Sequence, residues 1–268
     1  MVKKLFKQEM IYYGRSMIPV LIILLGIALV GRFVQFFESD SWVYDIVSAS
    51  AIAAVITAVS VGLMMGTLFT VVRYYKNLFT GEGYLTLTLP ATVNQHIHVK
   101  LGAALLIRIV TMIVAILSIM LFLGGEWISE IYKAAAYLFK DMAALLGSNL
   151  AFYAIELLIL IVISFVVETL SYYLCISIGQ LFHKNRVLAA IGAYFVLYMA
   201  MQVIGTVFSI VLTLVADGLP ASFYTWIESN IPLFIHLCFI VFLLILALGC
   251  IIQYLIVKWI LKKRLNLE

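Results

Sequence analysis

The sequence predicts an all-α membrane protein of six transmembrane helices, and three observations carry that prediction. Of the 268 residues, 65% are hydrophobic and 11% are charged, whereas ordinary globular domains are about 45–50% apolar and about 25% charged. Six apolar runs are each long enough for the roughly 20 residues that cross a hydrocarbon core. Lysine and arginine concentrate on alternate connecting segments, as the positive-inside rule requires of a multi-pass chain. The same composition excludes disorder, collagen-like repeats and nucleic-acid binding, each of which needs polar or strongly charged sequence. Six spans leave little room for a soluble region, so residues 1–268 are expected to form a single transmembrane domain.

The elements follow in order. Residues 2–16 carry Val2, Leu5, Phe6, Met10 and Tyr13 opposite Lys3, Lys4 and Lys7. That stripe suits an amphipathic elbow helix lying in the membrane interface. The first span is expected at 17–37. Its basic lead imitates a signal peptide, but Gly26-Ile27-Ala28 is a poor cleavage match, so the segment is expected to stay as a membrane helix. The second span, 46–72, contains Gly62-x-x-x-Gly66, a spacing that lets helices approach closely. A long polar segment, 73–100, leads to the third span at 101–123. Between spans three and four, 126–146 places Trp127, Ile131, Ala135 and Leu138 on one face; it is too polar to span and either rests on the membrane or caps the bundle. The fourth span is expected at 150–182, the fifth at 187–215 and the sixth at 232–258, with a short external helix in 219–230. Several of these exceed what a bilayer needs, which implies tilt or extension into water.

Thirteen of the seventeen basic residues lie in 1–16, 73–100, 183–186 and 258–268. The acids Glu38, Asp40, Asp45, Glu126, Glu130, Asp141, Asp217 and Glu228 lie on the opposite side. Both termini are therefore expected in the cytoplasm. Chemistry is sparse. The chain has no Walker A loop, no HExxH and no GxSxG. Cys175, Cys238 and Cys250 read as small buried hydrophobes. His96 and His98, two apart, point to different sides of a helix, while His183 and His236 stand alone.

The most distinctive stretch is RYYKNLFTGEGYLTLTLPATVNQHIHVKL, residues 73–101. Gly81 and Gly83 allow a bend, and Pro90 suits the first turn of a new helix. Val93, Ile97 and Leu101 then recur at amphipathic spacing. With the amphipathic N-terminus and the short helix before span six, this loop resembles the ABC-2 type permease family, the membrane subunits of bacterial ABC exporters. Glu82, Gly83, Leu87, Leu89, Pro90 and Lys100 stand in the family's order. Glu82-Gly83-Tyr84 replaces the commoner Glu-x-Gly-Thr, in the manner of small permeases of Gram-positive bacteria.

The resemblance implies a chain in the bacterial cell membrane that pairs with a second permease chain, the same or related. It also implies a separate ATP-binding subunit beneath, which carries ATP and Mg; the permease itself holds no cofactor and is not an enzyme. The loop would supply the ATPase-coupling element, from Tyr74, Tyr75, Lys76, Asn77, Leu78 and Phe79 to Glu82. The plainer reading of 73–100 is a loop retained for topology, but loops positioned by a scaffold carry function more often than the scaffold does.

Charges at bilayer depth are costly and normally paired or cavity-facing. Arg108 in span three and Glu168 in span four either pair, or Arg108 snorkels and Glu168 is protonated. Arg32 is expected to reach outward to Glu38 or Asp40, and Glu156 to touch headgroups or water. Span five carries Tyr194, Tyr198, Gln202, Gly205, Ser209 and Thr213 at helical spacing, and span two carries Met64 and Met65 between its glycines. Both features read either as packing or, by the resemblance, as the wall of a translocation path for a hydrophobic or amphiphilic substrate. The competing function is a proton-coupled secondary transporter using Glu168; it expects broken helices or inverted repeats, and neither is visible.

Overall fold

The computed structural model describes residues 2–37, 39–80, 92–146, 150–182 and 184–263. Every regular element among them is helical. Helix α1 is Val2–Gln35 and α2 is Trp42–Phe79. A helical segment from Val93 to Leu146 breaks at Gly124 into α3, Val93–Gly125, and α4, residues 126–146. Then come α5 (Leu150–Gly179), α6 (Arg186–Asp217), α7 (Ala221–Ser229) and α8 (Ile231–Lys263). Six of these, α1, α2, α3, α5, α6 and α8, are long and apolar enough to cross a membrane. The chain is a multi-pass membrane protein.

The spans fall where the apolar runs place them, but the helices are longer. At 1.5 Å per residue, the 38 residues of α2 extend about 57 Å, well past a hydrocarbon core of about 30 Å. The first helix differs in kind. No separate elbow forms; α1 runs unbroken from Val2 with Pro19 inside it. The reason lies in its buried residues, Glu9, Tyr13, Met17, Leu21, Leu24, Ala28 and Gly31. Steps of three and four carry one packing stripe straight across the joint at residue 16, so one face serves both parts.

Local chemistry sets the ends. The Ser41 hydroxyl accepts a bond from the Tyr44 amide at 3.3 Å and caps α2. Thr92 and Gln95 form a reciprocal capping box at the start of α3: the Gln95 amide donates to Thr92 Oγ1 at 3.3 Å and the Thr92 amide to Gln95 Oε1 at 3.1 Å. Helix α3 thus starts at Val93; Pro90, expected in its first turn, lies outside the described residues. At Gly124 the backbone takes φ +75°, ψ 179°, a conformation for which glycine is the default residue. Arg32 fills the space beside it. Its Nη1 donates to the Leu123 carbonyl at 3.4 Å and to Gln35 Oε1 at 3.0 Å, and its guanidinium lies 4.9 Å from the Phe36 ring centroid. A cation at the last carbonyls of a helix is favourable. Arg32 therefore closes α3 rather than reaching to Asp40; Glu38 lies outside the described residues.

The helices group into two compact units, Met1–Tyr137 and Leu138–Glu268. In the first, Tyr13, Met17 and Leu21 of α1 pack on Ala103 and Ile107 of α3, and Ala28 packs on Val55 of α2 and Phe122 of α3. The Gly62 and Gly66 pair performs the packing expected of it. A Cβ at Gly62 would sit 2.7 Å from Leu24 Cδ1, and one at Gly66 would meet Met17 and Thr111. In the second unit, α5 packs against both α6 and α8. Its Leu170, Tyr173, Leu174 and Cys175 are buried, whereas α6 has no buried residue. Of the three cysteines only Cys175 is buried; Cys238 is exposed.

Candidate functional site

The most constrained polar site in the first unit lies at the root of the long loop. Glu9 of α1 accepts from Arg73 Nε of α2 at 2.8 Å and from Lys100 Nζ of α3 at 2.7 Å, one carboxylate oxygen each. Side-chain exposures are 8% for Glu9, 15% for Arg73 and 4% for Lys100. The Arg73 guanidinium also stacks 4.3 Å from the Tyr12 ring centroid. Three helices are thus joined through one carboxylate by charge-assisted bonds, the stronger class of hydrogen bond. Arg73 precedes the loop and Lys100 follows it, so the clamp closes the loop at its base.

Beside the clamp is a polar cavity of ≈ 40 Å³ bordered by Gln8, Asn77 and His96, room for at least one water. His96 is buried and its Nε2 has no hydrogen-bond partner, while His98 faces outward and bonds the Asn94 carbonyl at 2.7 Å. The opposite orientations expected for this pair are the ones observed.

Glu9 was not legible as a site residue from composition, because it is a lone acid among Lys3, Lys4 and Lys7. Its signal is positional: Glu9, Tyr13 and Met17 are four apart on one face. Of the residues singled out for coupling, Tyr74, Asn77 and Leu78 are buried, Tyr75 and Phe79 are half-buried, and Lys76 is exposed. All six form the last turns of α2. Glu82 lies outside the described residues. Met64 is exposed and Met65 half-buried on α2.

The second unit holds several polar contacts within and between its helices. His236 Nδ1 lies 2.8 Å from Glu156 Oε1, and its ring stacks on Tyr153 with centroids 4.2 Å apart and planes at 16°. The Tyr153 hydroxyl donates to the Pro232 carbonyl at 2.6 Å. His236 does not stand alone, and Glu156 faces α8 rather than lipid headgroups. Tyr172 donates to Glu168 Oε1 at 2.9 Å and stacks on Tyr194 of α6. Gln253 of α8 donates to Ser171 Oγ at 3.0 Å. On α6, Gln202 donates to the Tyr198 hydroxyl at 3.3 Å, and Tyr194, Tyr198, Gln202 and Ser209 are all exposed. Arg108 belongs to the first unit and Glu168 to the second.

Among the described residues no three of His, Cys, Asp or Glu converge to hold a metal ion. What this arrangement can do is mechanical: it fixes helix ends together at the root of a loop and leaves an exposed polar stripe on α6. No protein-family model, no curated protein and no solved structure matches the chain.

Proposed function

We propose that the chain is the membrane-spanning permease subunit of a bacterial ABC exporter, working with a separate ATP-binding subunit to move a hydrophobic or amphiphilic molecule outward. The observation that carries this reading is the loop between α2 and α3. Its residues Glu82, Gly83, Leu87, Leu89, Pro90 and Lys100 stand in the order of the ABC-2 permeases, and the Lys100 of that pattern is the buried arm of the Glu9 clamp. The clamp ties α1, α2 and α3 together on both sides of this loop. A push on it is passed to α1, α2 and α3 together, which is what rocking between inward and outward states requires. Lys76, with Tyr75 and Phe79, is the part of the α2 end that remains open to a docking ATPase. Both termini and this loop then lie on the cytoplasmic side, and a second permease chain completes the path.

Co-purification tests the reading. The tagged chain is expressed with its genomic neighbours, and an ATPase is expected to come with it and to turn over ATP faster in its presence. Absence of an associated ATPase overturns the proposal. The second reading, proton-coupled transport, draws on Glu168 and its bond from Tyr172. It predicts transport that survives ATP depletion and collapses with an uncoupler.

A further inference from the structure

The clamp contains a group that tying three helices together does not use. His96 lies one helical turn before Lys100 on α3, so the two share a face. It is the one buried histidine among the described residues, 3% exposed, and its Nε2 has no hydrogen-bond partner. Native chains seldom leave a buried polar atom unpaired without a reason. The ≈ 40 Å³ cavity lies against this ring. Its charged borders are Glu9 of α1, Arg73 of α2 and Lys100 of α3, and its neutral polar ones are Gln8 and Asn77. Gln8 is itself exposed, and the cavity has room for water, so a proton has a short way in.

We infer that His96 is a proton-binding site set inside the clamp, and that proton uptake at Nε2 loosens the joint between α1, α2 and α3. Neutral imidazole keeps one accepting nitrogen; imidazolium donates from both and carries a positive charge. That charge arrives beside Lys100 and Arg73. Glu9 is the only carboxylate bordering the cavity among the described residues, and each of its oxygens already holds one of those cations. The imidazolium must therefore share an acceptor in use, four residues from a like charge on its own helix, a destabilising spacing. Burial keeps salt from screening that repulsion. His98 meets none of this: it is exposed and its ring bonds the Asn94 carbonyl. Acid below about pH 6.5, where an ordinary imidazole charges, loosens the joint, and neutral pH keeps it tight. Every residue involved belongs to the first unit, and none of this requires an ATPase partner.

The detergent-purified full chain provides the test. Between pH 7.5 and 5.5, the thermal midpoint is expected to fall about 3–5 °C further in the wild type than in His96→Gln. That is the shift one imidazole titrating near pH 6.5 supplies to a chain of this size. His98→Gln, which changes an exposed ring, should keep the wild-type slope. Equal slopes in the wild type and His96→Gln overturn the inference. Hydrogen–deuterium exchange of the unaltered chain reads the same joint without relying on how a variant folds. After correction for the intrinsic pH dependence of exchange, peptides covering 2–12 and 93–100 are expected to lose protection about tenfold at pH 5.5. Peptides from α8 should keep theirs. Unchanged protection at 2–12 and 93–100, or an equal loss in α8, overturns the inference as well.

Discussion

Replacing Glu9 by Gln is the most informative single change. The amide keeps the shape and one acceptor but removes the charge that faces Arg73 at 2.8 Å and Lys100 at 2.7 Å. Lys100 stays buried and Arg73 largely so, and breaking a buried pair from one side costs about 3–5 kcal/mol. At about 2–4 °C per kcal/mol for a chain of this size, the thermal midpoint of the detergent-purified protein should fall by about 6–20 °C. Lys100→Met alone should also be costly. Combined with Glu9→Gln it should cost less than the two single changes added, by about 0.5–3 kcal/mol, because the carboxylate and ammonium serve each other. The loss should persist in high salt, since buried pairs are weakly screened. Tryptophan fluorescence on heating reads each midpoint. A Glu9→Gln variant within about 2 °C of the parent, or strictly additive double-variant losses, would refute the clamp as a structural tie.

Three further outcomes are expected. Gly124→Ala should cost about 1–3 kcal/mol for its positive-φ, extended-ψ backbone and more for the overlap of the new Cβ with the Arg32 guanidinium; Gly125→Ala, whose Cβ meets nothing within 4 Å, is the control, and equal thermal midpoints would dismiss the strain argument. His236→Ala should cost about 1–3 kcal/mol by leaving the Glu156 carboxylate, already without a partner at Oε2, wholly unpaired; His236→Gln should recover part of the loss, and no recovery would point to the Tyr153 stacking instead. Tyr198→Ala and Gln202→Ala lie on the exposed face of α6 and should leave stability within about 0.5 kcal/mol while changing transport in vesicles; unchanged transport removes them from the path.

Much of the fold was legible because its determinants are local. Spans are set by apolar length, so α5 and α6 begin within a residue of where the runs place them. The capping box at Thr92 and Gln95 was equally present in the sequence, four residues of a known pattern, but Pro90 gave a competing start signal. The elbow expected at 2–16 failed for a reason also written locally, since the stripe from Glu9 to Gly31 passes through it without a change of phase.

By itself the sequence determined that this chain is a multi-pass membrane protein with six apolar runs long enough to span, because composition and run length need no knowledge of what touches what. It also marked 73–100 as the unusual loop. Only the tertiary structure decided how that loop is rooted. Glu9 meets Arg73 across 64 residues and Lys100 across 91, and His236 meets Glu156 across 80. Such pairings leave no periodic trace along the chain, since each partner obeys only its own helix. Burial of the Glu9 charge is affordable where two other helix faces supply its counter-charges at once, and that convergence exists only when the helices have packed.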